Sequence, residues 1–227
     1  MSQSKTNSPL PEWLNGIEPR AVVGVDAQLF TAVRDSYDSP GRYYHAWPHI
    51  LACLAEYRMM KFDRPRAVLL ALLFHDAIYV TGNKDNETRS ADLAVGTAAA
   101  HSEVTDAERC EIAQIILLTA SHHAPVTVSD DARKMLDIDL SILGAEWQMY
   151  DSYAVGVRRE FCPAVISEFK FRIGRMKFLR SVLQQQHIFL TEGMRRRLES
   201  RARENIAREI AALEREAGLF GRVIARI

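Results

Sequence analysis

Apolar positions recur at helical spacing along most of the chain. In DAQLFTAVRDSY, Leu29, Val33 and Tyr37 share one face ahead of the turn signal SPGR, which predicts a first helix. Pro48 suits an early helical position, where a missing N–H costs nothing, and HILACLAEYRMM is then apolar on nearly every turn. A helix over 48–61 follows, with His49 at its start. Asp63 as N-cap and Pro65 in the first turn open RPRAVLLALLFHDA, a stretch apolar enough to demand burial. It delivers His75 and Asp76 at its C-terminal end.

Beyond the polar loop YVTGNKDN, Asp85 or Asn86 can cap ETRSADLAVGTAAAH, whose first turn carries Glu87 and whose small residues permit close packing. Thr105 with Glu108 reads as a capping box for a helix running through CEIAQIILLTASHH, which carries His122 and His123 to its end near Pro125. SDDARKMLDIDLSILG has acidic cap candidates and stops at Gly144, a short helix that brings Asp137 and Asp139 inward. Three more helices fit 146–226. No run alternates as a strand would, and no repeat is visible. The pattern predicts an all-α, single-domain helical bundle over 18–227, preceded by a mobile leader over 1–17.

Composition narrows the partners. Of 227 residues, 29 are Lys or Arg and 29 Asp or Glu, so no net field draws the chain to nucleic acid or anionic lipid, and a small ligand is expected. The arginine run MRRRLESRARENIAREI is interspersed with glutamates, which favours pairing within a helix on a solvated face or at a homodimer contact. Cys53, Cys110 and Cys162 form no C-x-x-C pair and read as buried thiols of a cytoplasmic protein. No segment has the apolar run of a signal peptide or a membrane span.

Five of the seven histidines (His45, His49, His75, His122 and His123) fall just before or at the ends of apolar helices. The central feature is Phe74-His75-Asp76, because an ionised aspartate after a buried helix is costly unless a cation or donors meet it. Adjacent helical residues diverge by roughly 100°, yet an ion between them can accept both an imidazole nitrogen and a carboxylate oxygen. His49 and Asp139 supply the rest from other helices, a nitrogen and oxygen set suited to a divalent ion. Mn, Mg, Fe, Co, Ni and Zn all remain open.

RYYHAWPHI, HDAIY, DNETRSA and LDIDLSILG together resemble the HD superfamily of metal-dependent phosphohydrolases, over about 42–144. That core would be followed by C-terminal helices over 146–226. Most similar is a bacterial group of HD-type phosphohydrolases without a settled substrate. The resemblance implies a helical HD-type fold with His49, His75, Asp76 and Asp139 as ligands, and it selects Asp139 over Asp137. RYYHAWPHI also resembles the Y-H-N-x-x-H-A stretch of cyclic-nucleotide phosphodiesterases, which makes His45 the acid candidate. Ala46 stands where those enzymes carry asparagine, so their substrate is not implied.

Further candidates surround this set. His122 is placed where some HD proteins hold a second ion, and Glu87 or Asp85 could orient the attacking water. Arg42, Lys84 and Arg89, with Arg172 or Arg175 from a later helix, could bind phosphate. The leading expectation is hydrolysis of a small phosphate ester, a nucleotide or related metabolite, by metal-activated water. An HD-type di-iron oxygenase and a non-catalytic binding module are the alternatives.

Overall fold

Prolines and hydroxyl caps set where the helices begin. The computed structural model describes residues 33–99, 104–121 and 127–224. Its helices are α1 (Trp47–Arg58), α2 (Pro65–Phe74), α3 (Asn86–Ala99), α4 (Asp106–Thr119), α5 (Asp130–Asp139), α6 (Trp147–Phe161), α7 (Glu168–Gln184) and α8 (Glu192–Ile224). A 3-10 turn, Leu140–Gly144, joins α5 to α6. No strand occurs among the described residues, so the all-α expectation holds. The expected leader and Leu29 lie outside them; 33–37 are helical, with Val33 and Tyr37 buried.

Pro48 and Pro65 sit in the first turns of α1 and α2. The capping box of α4 is present: Thr105 Oγ1 accepts from the Glu108 N–H at 3.3 Å, and Glu108 accepts from the Thr105 N–H at 2.9 Å. Three expectations are corrected. Asp63 does not cap α2; the N–H groups of Asp63 and Arg64 donate instead to the buried Asp131 carboxylate at 3.1 and 2.7 Å. Ser129, rather than an aspartate, caps α5 by accepting from the Ala132 N–H. Helix α1 stops before 61, because the N–H groups of Met59 and Met60 donate only three residues back and tighten the last turn.

Two apolar clusters form the interior. Ile50, Leu72, Phe74, Ile115, Ile116 and Met135 anchor the first, built on α1, α2, α4 and α5. Tyr150, Met176, Leu179, Phe189 and Ile206 anchor the second, built on α6, α7 and α8. Cys53 and Cys162 are buried as expected, but Cys110 is exposed. Among the described residues, no helix is long and apolar enough to cross a membrane.

The seam between the clusters positions the site. Gly144 O accepts from Arg201 Nε at 2.6 Å, and Asn205 Nδ2 donates to Leu143 O and Ala145 O at 2.9 Å each. A Cβ at Gly144 would sit 2.6 Å from Leu198 Cβ, so the close approach of the turn to α8 requires glycine. The arginines of α8 do more than pair within it. Arg196 and Arg203 meet Glu192 and Glu199 one turn away, whereas Arg197 and Arg201 reach Glu56 and Glu146 and tie α8 to the rest of the bundle.

Candidate metal centre and its cavity

Four side chains from three segments converge where the two clusters meet. His49 enters from the first turns of α1, His75 and Asp76 from the end of α2, and Asp139 from the last residue of α5. His49 Nε2 lies 3.2 Å from His75 Nε2 and 3.1 Å from Asp139 Oδ1. His75 Nε2 lies 3.2 Å from Asp76 Oδ2 and 3.5 Å from Asp139 Oδ1. All four side chains are at most 12 % exposed. Two overlapping groups could hold a metal ion: His49, His75 and Asp76 form one, and His49, Cys53 and Asp139 form the other.

Electrostatics give this cage an appetite for positive charge. Burial pushes the His75 imidazole down, but the Asp76 and Asp139 carboxylates outweigh it and hold its pKa well above the ordinary histidine value. Burial likewise raises Asp76, and His75 overrides it, leaving the carboxyl well below the usual carboxylate range. Without a metal, the proton on His75 therefore supplies the charge that two buried carboxylates demand. The chemistry of the donor set fits a divalent ion in its place.

Neighbouring contacts hold the four groups in position. His75 Nδ1 lies 2.8 Å from Leu72 O, so its N–H belongs there and Nε2 is left to the cage. On either side of Asp139, the chain is pinned by the bonds to the 3-10 turn and by Asp137. That fully buried carboxylate accepts from the N–H groups of Leu190 and Thr191 and from the Thr191 hydroxyl, at 2.6–2.7 Å. Its role is to hold the segment before α8 against α5. Arg42, expected at a phosphate, instead lies behind the cage. It donates to the backbone oxygens of His45, Asp76 and Ala77 at 3.1, 2.6 and 2.9 Å, between the rings of Tyr37 and Tyr79. It fastens the His-Asp turn to the loop before α1.

A cavity of about 190 Å³ opens over Asp76 and Asp139, and His45, Glu87 and Arg175 also line it. These three candidates therefore share the cavity wall with Asp76 and Asp139. Glu87 is half-buried in the first turn of α3. The guanidinium of Arg175 is buried and pairs with Glu209 through Nε and Nη2, at 2.8 and 3.1 Å. Lys84 and Arg89 are not part of the lining; both are exposed, and Arg89 faces Asp85 one turn away. Arg172 likewise lies outside the lining, donating to backbone oxygens of Glu168 and Glu216. His122 and His123, and with them the second-ion expectation, fall outside the described residues.

Glu160 is the participant that sequence reasoning missed. Its Oε1 accepts from the N–H groups of Tyr43, Tyr44 and His45 at 2.7–2.9 Å, and its Oε2 lies 2.7 Å from His45 Nδ1. Tyr79 stacks on the His45 ring at 4.2 Å and donates its hydroxyl to Glu160 Oε2 at 3.2 Å. Burial pushes His45 down, but the bond to Glu160 and the charge of Asp76 raise it above the ordinary histidine value. Burial raises Glu160, and the His45 bond and charge bring it below the usual carboxylate range. The signal for Glu160 is its register: Tyr150, Tyr153, Val157 and Glu160 lie along one buried stripe of α6.

Comparison of the chain with protein-family models, curated proteins and solved structures found no match. The chemistry of the site therefore rests on its own geometry.

Proposed function

We propose that the protein is a metal-dependent phosphohydrolase acting on a small phosphate ester, a nucleotide or related metabolite. The observation that carries this reading is the convergence of His49 and His75 on Asp76 and Asp139, two carboxylates that line a cavity whose wall also includes His45. His49, His75, Asp76 and Asp139 would hold a divalent ion, which would supply Lewis acidity and lower the pKa of a bound water toward neutrality.

The remaining chemistry falls to the protein's own groups. His75 keeps its Nδ1 proton on Leu72 O and offers Nε2 to the cage. Glu160 takes the Nδ1–H of His45 and stabilises the charged imidazole, so that His45 can give its Nε2 proton to the departing alkoxide. Glu87, which lines the same cavity, would accept a proton from water.

A panel of phosphate monoesters, diesters and nucleotides with added Mn, Mg, Co, Ni, Fe or Zn tests the reading. Metal-dependent phosphate release is expected, falling by at least about 100-fold in Asp76→Asn and in His45→Asn. Folded protein that releases no phosphate with any metal would contradict it.

A further inference from the structure

The cavity has a chemically distinct second half. A continuous line of rings leads away from the cage: Tyr44 packs 4.8 Å from His49 and 4.5 Å from Tyr153. The Arg175 guanidinium then lies 5.0 Å from the Tyr153 ring and 5.5 Å from that of Phe178. Phe178 lines the same cavity as Asp76 and Asp139, yet it is 44 % exposed. Leu140, Ile142 and Val157 add apolar wall.

Charge complementarity orients a ligand in this space. Glu209 matches the charge of Arg175 through two hydrogen bonds, so the guanidinium offers a flat, neutralised surface rather than a free cation. An anion is drawn to the cage, where the donor set calls for a divalent ion. At about 190 Å³ the cavity suits a compact group and not a long acyl chain. A partly exposed phenyl ring on the cavity wall beside a planar guanidinium can stack with another ring.

We propose that the substrate is a phosphate monoester of a planar aromatic or heteroaromatic group, with the phosphate toward the cage and the ring on Phe178. This deepens the phosphohydrolase reading and rests on it. Phe178 is then a specificity-determining residue: it favours ring-bearing esters over polyol or sugar phosphates without taking part in bond cleavage.

Calorimetric titration of the manganese-loaded, full-length protein with phenylphosphonate and methylphosphonate tests this, because neither probe has an ester bond to cleave. Phenylphosphonate is expected to bind about tenfold tighter. In Phe178→Ala, that preference should fall to about twofold or less while methylphosphonate, which has no ring to stack, binds as before. Phe178→Trp should keep it. Equal affinities in the native protein, no binding of either probe, or a preference that survives Phe178→Ala would overturn the proposal. Turnover of phenyl phosphate and glycerol phosphate, run in parallel, separates the two readings. Hydrolysis without ring preference sinks the subsite alone, and ring preference in binding without hydrolysis of any ester sinks the hydrolase alone.

Discussion

His75 and Leu72 share one short contact, Nδ1 to carbonyl oxygen at 2.8 Å, that decides which face of the imidazole meets the cage. Because the N–H is committed to the backbone, Nε2 points toward His49, Asp76 and Asp139, and in the proposed metal centre the end of α2 would supply half of the coordination shell. The cost of ending a buried helix on an ionised carboxylate is offset there by the raised His75 imidazole, a charge that the proposed divalent ion would replace.

Two aspartates in one short helix have opposite duties, and single substitutions should separate them. Asp137→Asn leaves three donors facing an amide and is expected to cost about 3 kcal/mol in urea unfolding, with metal affinity about tenfold weaker through displacement of Asp139. Asp139→Asn should abolish stoichiometric metal binding yet leave the metal-free protein about as stable as before, since it removes one of two like charges around His75. The opposite assignment of losses would show that Asp137 is the ligand.

Close packing of the turn after Asp139 leads to a third expectation. In Gly144→Ala the new methyl meets Leu198 Cβ at 2.6 Å and Leu198 O at 2.9 Å, so α8 must shift. A loss of about 2–3 kcal/mol is expected from overpacking, together with reduced metal occupancy. Unchanged urea midpoints would show that α8 moves freely.

The His45–Glu160 pair predicts a pH dependence of stability in the metal-free protein. His45 is raised, so its contribution is complete below its unfolded value of about 6.5 and is lost as pH climbs through the folded value. Glu160 is lowered, so its contribution is complete above its unfolded value of about 4.3 and is lost as pH falls through the folded value. Both hold between about pH 5 and 6.5. Glu160→Gln is therefore expected to lower stability by about 2–3 kcal/mol in that window and by less on the alkaline side. Thermal melts across pH check this; a constant difference at every pH would mean that the pair does not titrate as described.

How much of this was legible in the chain depends on the physics of each residue. Prolines, the Thr105 capping box and the apolar stripes mark helix positions locally, and the three helices expected over 146–226 are present as α6, α7 and α8, though their bounds were not read from the chain. His49, His75 and Asp76 stood out because costly polar groups began or ended apolar helices, whereas only the resemblance to the HD superfamily selects Asp139 over Asp137. Glu160 did not, since a single acid within a helix looks like surface until its register is traced onto the Tyr150, Tyr153, Val157 stripe. Arg175 and Glu209 share that logic, each on the buried side of its helix and each the other's partner. Arg42 misled because a long cation near a candidate site suggests phosphate, whereas backbone oxygens brought together by the fold had already claimed it. Asp63 misled for a related reason: Asp131, distant in sequence, took the amides a local cap would serve.

The most direct test of the metal centre is elemental analysis with equilibrium metal titration of the native chain and of Asp76→Ala and His49→Ala. About one divalent ion per chain is expected in the native protein, with stoichiometric binding lost in both variants while their circular dichroism stays helical. A native protein that takes up no divalent ion, or variants that bind it as tightly as the native chain, would contradict the four-residue cage.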